Sequence, residues 1–260
     1  MKNFPLHYFH FLMNGINVLT KSQKLAGRVA LITGASRGIG RSVAKKFAKE
    51  GAQIILVATT TGGLEELDDE IRSTTGKKAV LVPLDINDAA GIERLANHVF
   101  ERHKKLDILV GNAAVLGDLT PMAHLSPKVW DNVIKTNLTA NWNLLRNFDP
   151  LLQLSDAGRA IFVTSSLGSI PRPYWSAYAV SKAGLEMMIK IYASEQIMDK
   201  VKANLINPGA TRTRMRAKAI PGEDPKKVKS PDMVADAFVY LAQPICRLNG
   251  SLIDSKGNEI

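Results

Sequence analysis

The stretch "TGASRGIG", residues 33–40, places three glycines directly after a short β-branched run and at the opening of a helical pattern. Gly34 suits a tight turn, Gly38 lets a diphosphate approach the backbone, and Gly40 lets the helix pack closely on the strand before it. Free N–H groups at the start of that helix attract an anion. Three residues separate the first two glycines and one separates the last two, a spacing that differs from the commoner dinucleotide fingerprint. Ser36, Arg37 and Ile39 complete the turn and are expected beside the same ligand.

Outward from this turn, short aliphatic runs alternate with longer amphipathic stretches. The runs fall at 28–33, 53–58, 79–84, 106–110, 160–164, 201–206 and 251–254, and stretches such as "LEELDDEIRS", "GIERLANHVFERH" and "PKVWDNVIKTNLTANWNLLRNF" lie between them. Strands separated by helices need parallel crossovers, so the expectation is one α/β, doubly wound (Rossmann-like) domain over 25–260, a seven-stranded parallel sheet with helices on both faces. Ser126 with Pro127, and Ser230 with Pro231, read as cap and first residue of two helices.

The end of the second strand normally selects the cofactor, because an acid there grips a free ribose hydroxyl and repels a phosphate on it. Here "LVATTTGG" has Ala58 where the acid is expected, with Thr59 and Thr60 as donors and Arg37 as a nearby cation. NADP(H) is therefore expected, with NAD the weaker alternative.

In "YWSAYAVSK", residues 174–182, Tyr178 and Lys182 lie one helical turn apart and share a face, whereas Tyr174 and Lys182 do not. A cation about 4 Å from a phenol is worth up to ~4 kcal/mol at moderate dielectric, enough to lower its pKa by about three units. On that reading Tyr178 becomes a usable proton donor near neutrality. The alternative from these nine residues is a packed ring with the lysine reaching water. Pro171 and Pro173 keep the preceding loop extended, which makes Tyr174 and Trp175 expected walls of a substrate pocket.

Composition bounds the rest. The 260 residues and 45% hydrophobic content suit one large domain. The one cysteine, Cys246, leaves no internal disulfide or thiolate cluster, fitting a reducing, cytoplasmic setting. His7 and His10 have helical ligand spacing but no carboxylate or second cluster nearby, so no metal is expected. The net charge is +10, of which Lys2, Lys21 and Lys24 account for three. Arg212, Arg214, Arg216 and Lys218 form an acid-free run, either a solvated basic loop or a face for an acidic partner. Residues 1–24, aromatic in patches but broken by Pro5 and Gly15, are too interrupted to span a bilayer, and lack a signal-peptide pattern. They read first as an extension, with Met13 an alternative start, and second as an interfacial or subunit-contacting arm.

With this turn, this Tyr-x-x-x-Lys pair and this strand order, residues 25–260 resemble the short-chain dehydrogenase/reductase family, and within it a bacterial subgroup of oxidoreductases without assigned substrates. The resemblance implies a catalytic set of Asn137, Ser165, Tyr178 and Lys182: Ser165 stands thirteen residues before Tyr178, and Asn137 lies in "KTNLTAN" on the long helix, whose kink helps hold a water in the proton path. It also implies Asp85 and Ile86 at the adenine, Asn112 and Ala113 after the fourth strand, Pro208, Gly209 and Thr213 beside the nicotinamide, and Tyr178 and Lys182 in cofactor contact. The family's "NNAG" reads "GNAA" here, so Gly111 and Ala114 depart from it, the added methyl of Ala114 narrowing the space near the cofactor. A homodimer or homotetramer follows from the resemblance, paired through the helices bearing Asn137 and Tyr178. The implied activity is hydride transfer between NADP(H) and a small-molecule carbonyl or alcohol, with a substrate linked to acyl carrier protein as one candidate. The competing expectation is a non-catalytic protein that keeps the cofactor cleft and associates with an acidic partner or RNA. No specific nucleic acid and no transmembrane segment are expected.

Overall fold

The computed structural model describes residues 23–196 and 200–260. The expectations for the leader, including His7, His10 and Met13, lie outside the described residues. The strands are β1 (Val29–Thr33), β2 (Gln53–Ala58), β3 (Val80–Pro83), β4 (Ile108–Gly111), β5 (Arg159–Val163), β6 (Lys202–Asn207) and β7 (Leu252–Asp254). They form one seven-stranded sheet in the order β3-β2-β1-β4-β5-β6-β7. Every pairing is parallel. The helices are α1 (Gly38–Lys49), α2 (Thr61–Thr75), α3 (Ala89–His103), α4 (Pro127–Ile134), α5 (Ala140–Gln153), α6 (Ser176–Ser194), α7 (Arg214–Ala219) and α8 (Ala235–Ala242).

A strand's side chains alternate between faces, so a sheet buried on both sides needs apolar residues at every position. Strand β1, VALIT, is buried throughout and divides in that way. Ala30 and Ile32 join Phe47 of α1, Leu67 of α2 and Phe238 of α8 in one core layer. Val29 and Leu31 join Val99 of α3, Phe148 of α5 and Ile189 of α6 in the other.

Two local predictions meet different outcomes. The Ser126 side chain caps α4, accepting from the Val129 N–H, with Pro127 in the first turn. Ser230 and Pro231 instead begin a single 3₁₀ turn, Pro231–Met233, in which Ser230 makes no capping bond, and α8 starts only at Ala235. The cap-and-proline pattern sets where a turn begins, while packing of Val234 and Phe238 into the core decides where the α-helix runs.

The departure at Gly111 has a packing cause. Gly111 lies beside Phe162 in the β4–β5 register. A Cβ at 111 would collide with the Phe162 ring and come within 2.8 Å of Asn141 Oδ1. Phe162, fully buried, fills the volume a side chain at 111 would need. Gly111→Ala is expected to destabilise the fold by about 1–3 kcal/mol through overpacking, and a second change, Phe162→Leu, should recover part of the loss in thermal melts.

Candidate active site

The site lies at the carboxyl ends of the strands, where sheets of this kind leave a crevice at the reversal of strand order between β1 and β4. The cleft there has a volume of about 1310 Å³. Its phosphate end is the turn between β1 and α1. Gly34 and Gly38 have φ of 64° and 58°, in the left-handed region that favours glycine. A Cβ on Gly38 would stand 3.3 Å from Thr213 Cγ2, and one on Gly34 would press on Ala113 Cα and Asn112 Nδ2 at 2.9 Å. Arg37, the residue before α1, gives no side-chain cap, so the first N–H groups of the helix remain available to a ligand.

Asn112 braces this turn. Its Nδ2 donates to Thr33 O at 2.9 Å and to Gly34 O at 3.3 Å, while the Asn112 and Ala113 N–H groups donate to Thr33 Oγ1. Gly34, Ser36, Arg37, Gly38, Ile39, Thr59, Asp85, Ile86, Asn112, Ala113, Pro208, Gly209 and Thr213 all line the cleft. Gly40 does not. It is buried where a Cβ would meet Asn112 Nδ2 at 2.6 Å, which makes it a packing glycine. Asp85 accepts from the Asn87 backbone and side chain at 2.9 and 3.1 Å, and Asn87 in turn donates to Thr136 Oγ1 at 3.0 Å. Asn87 and Thr136 line the cleft and were not foreseen, because each is one polar residue in a loop or helix until the topology brings them together.

At the other end, Tyr178 and Lys182 share one face of α6, with the Lys182 ammonium 5.7 Å from the centroid of the phenol ring. Lys182 is buried and donates to Val163 O at 2.8 Å. Tyr178 is hydrogen-bonded to Ser165, whose hydroxyl also accepts from the Leu167 N–H at 3.3 Å. The expected acidification of the phenol is not found in this arrangement. Burial pushes the Tyr178 pKa up to about 12, against the Ser165 hydrogen bond. Burial likewise pulls Lys182 down to about 8, against the neighbouring Glu186 carboxylate. The ammonium is turned to a backbone carbonyl and to the ring, and desolvation of both groups outweighs what their spacing offers.

Asn137 lies in a π-helical turn, Lys135–Thr139, that joins α4 to α5 and takes the place of the kink that the resemblance implied for the long helix. Its amide is fully committed: Oδ1 accepts from Val115 N at 2.8 Å, and Nδ2 donates to Val115 O at 2.9 Å and Ser181 Oγ at 3.0 Å. Ser181 Oγ donates to Tyr178 O at 2.7 Å, so Asn137 reaches the tyrosine through α6 and does not itself line the cleft.

Leu116, Trp175, Tyr178 and Ala219 form a small apolar cluster next to the phenol, joined at its edge by Leu119, Leu167, Met215 and Ile220. Trp175 meets Tyr178 edge to face at 5.9 Å. Tyr174, expected to line the pocket with Trp175, is 57% exposed and lies outside the cleft lining. Its φ of 75° is left-handed, and that reversal of the chain admits Trp175 to the cleft while sending its neighbour to solvent. The basic run is also partly spent. Arg216 holds Glu223 through two bonds of 2.7 and 2.6 Å, and Lys218 donates to Gly117 O at 3.2 Å. Arg212 and Arg214 remain at the cleft wall.

Comparison with known proteins bears on this geometry. The family model described as short chain dehydrogenase matches residues 28–224. The chain belongs to that family. Its similarity to YciK, an uncharacterized oxidoreductase of Escherichia coli K12, is 38% identity over 223 residues, 85% of this chain and 88% of that protein. Among solved structures, a short chain dehydrogenase of Shigella flexneri complexed with NADP shares 36% identity with a TM-score of 0.87, covering 91% of this chain and 100% of its own. One from Escherichia coli CFT073 complexed with NADPH shares 36% with a TM-score of 0.87, covering 91% and 99%. The chain is therefore an oxidoreductase of the short chain dehydrogenase family. Among its described residues, no helix is long and apolar enough to cross a membrane.

Proposed function

We propose that this protein reduces a carbonyl compound with NADPH, or oxidises the corresponding alcohol with NADP, with Tyr178 as the general acid and base. The observation that carries this reading is the convergence of Ser165, from the segment after β5, with Tyr178 and Lys182 of α6 on the cleft that the glycine turn opens. The residues present suit a dinucleotide: left-handed glycines under the turn, uncapped helix N–H groups for the diphosphate, and no acid at the end of β2 to repel a ribose phosphate. A bound nicotinamide supplies the hydride that reduces the carbonyl carbon.

The chain's own residues manage the oxygen. Tyr178, kept protonated by burial, donates its proton as charge develops on the carbonyl oxygen, and Ser165 holds that oxygen by a hydrogen bond. Lys182, a cation under the ring, stabilises the phenolate left behind and would bond the ribose of a bound cofactor. Asn137 fixes the α6 backbone through Ser181, and its π-turn is the position from which a water would return protons. In the oxidative direction the phenol must first lose its proton, which a neighbouring positive charge favours.

Arg37 supports the choice of NADP(H). It is exposed at the cleft, and among the described residues its guanidinium makes no ion pair or hydrogen bond. Arg41 and Lys45, by contrast, are tied to Glu70 at 2.7 and 3.1 Å. Arg37→Ala is expected to cut the NADPH-over-NADH preference in kcat/KM by about 10- to 100-fold, the worth of one charge-assisted hydrogen bond, and leave NADH turnover nearly unchanged.

The apolar cluster around Trp175, with Arg212 and Arg214 at the wall, fits an apolar carbonyl chain that ends in an acidic group, and an acyl-carrier-protein-linked substrate is one such molecule. Pairing into a homo-oligomer through α5 and α6 accords with the exposed Trp142, Met187 and Ile191 on those helices. The direct experiment is NADPH oxidation against a panel of ketones, quinones and 3-oxoacyl thioesters. Cofactor binding without turnover of any of them would overturn the catalytic reading.

A further inference from the structure

A carboxylate taken out of water needs donors or a counter-charge. Glu186 is 6% exposed and one helical turn beyond Lys182 on α6. Its Oε1 accepts from Thr164 Oγ1 at 2.7 Å, and its Oε2 from Ser169 Oγ at 3.2 Å. Those two hydroxyls flank Ser165 along the chain, one before it and one after. Gly168 passes so close that a Cβ there would collide with Glu186 Oε1. The carboxylate thus sits inside the bend between β5 and α6, touching it on both sides of Ser165.

We propose that Glu186 is a positioning residue that clamps the segment bearing Ser165 and supplies the buried counter-charge for Lys182. The inference rests on the catalytic reading above for its kinetic consequence but not for its structural one. Among the described residues no other charge acts on Lys182: Asp149 is bonded to Tyr192 near the far end of α6, and Lys190 is exposed. The Ser166–Gly168 turn packed on the helix brings no titratable side chain, β6 brings only Lys202 at its opposite end, and Lys128, Asp131 and Lys135 of α4 and the π-turn are exposed. On α6 itself Tyr178 and Glu186 face Lys182. With Glu186 neutral, only the Val163 carbonyl and the Tyr178 ring oppose the desolvation of the ammonium, so Lys182 loses its proton at lower pH.

Glu186→Gln keeps the shape and removes the charge. In this variant kcat for carbonyl reduction should fall about tenfold at neutral pH, with its alkaline limb displaced to lower pH, and Glu186→Asp should return the limb toward its wild-type position. A purely structural role would lower the melting temperature and leave the limb in place, and that result would overturn the proposal. Two measurements are independent of turnover. The ¹³Cε resonance of Lys182, assigned with Lys182→Arg, should titrate at lower pH in Glu186→Gln than in wild type. Amide exchange at Leu167, Gly168 and Ser169 should quicken in Glu186→Ala. An unmoved titration, or unchanged exchange, sinks the Glu186 inference even if the enzyme is active. Absence of any wild-type turnover sinks the catalytic reading and leaves these two measurements to decide Glu186.

Discussion

Tyr178→Phe is expected to lower kcat for carbonyl reduction by about 10²- to 10⁴-fold, the range associated with losing one positioned proton donor. NADPH affinity should stay within a few-fold, because the ring remains and only the hydroxyl leaves. The ring's packing against Trp175 and beneath the Lys182 ammonium does not need the oxygen. The variant should fold, and it should lose the cost of burying a phenol that is hydrogen-bonded to Ser165. Fluorescence titration with NADPH and steady-state kinetics on the same preparation separate the two effects. Equal activity in Tyr178→Phe and wild type would mean that the proton comes from elsewhere in the cleft.

Lys182→Met should have the second-largest effect and act in opposite directions on activity and stability. Activity should fall by about 10²-fold or more, since the phenolate loses its cation and the ribose its donor. Stability should rise near neutral pH. Lys182 has its pKa lowered by burial to about 8, against an ordinary 10.5. Its stabilising share is therefore fully present above the unfolded value and lost as pH falls through about 8, a difference on the order of 3 kcal/mol. Tyr178 does not confuse that window. Its raised pKa contributes stability that is present below about 10 and lost as pH climbs through about 12. Wild-type protein should gain resistance to denaturant between pH 8 and 10, and the gain should be clearly smaller in Lys182→Met, where Lys229, also lowered by burial, still contributes. The gain at neutral pH will be less than the full figure, because Glu186 keeps its burial without its cationic neighbour.

Much of the fold was legible because the signals are local. Each strand announced itself as a short aliphatic run, and the bounds of β1, β2 and β5 fall within a residue of those runs. The Gly34–Gly40 turn identified both the fold and the ligand end of it, since a left-handed backbone can be read from glycine alone. Ser126 and Pro127 likewise fixed the start of α4.

Other features required coordinates. Tyr174 and Trp175 looked equivalent as neighbours in an extended loop, yet one left-handed residue sends them to opposite sides of the wall. The basic run from Arg212 to Lys218 looked uniform, and only the return of the chain at Glu223 shows that Arg216 is occupied. The kink at Asn137 followed from the resemblance and not from helical periodicity, which counts residues and not hydrogen bonds, and its form as a π-turn came only from the structure. Glu186 read as one more charge on an amphipathic helix until β5 delivered Thr164 to it.

The sequence by itself determined the parallel sheet, the phosphate turn and the Tyr178–Lys182 pair, because these depend on spacing along one chain. Tertiary structure alone decided their electrostatics. Whether an ammonium acidifies a phenol depends on how much water each has lost and on what else stands beside it. Here burial, the Val163 carbonyl, Ser165 and Glu186 come from separate elements and set that balance together.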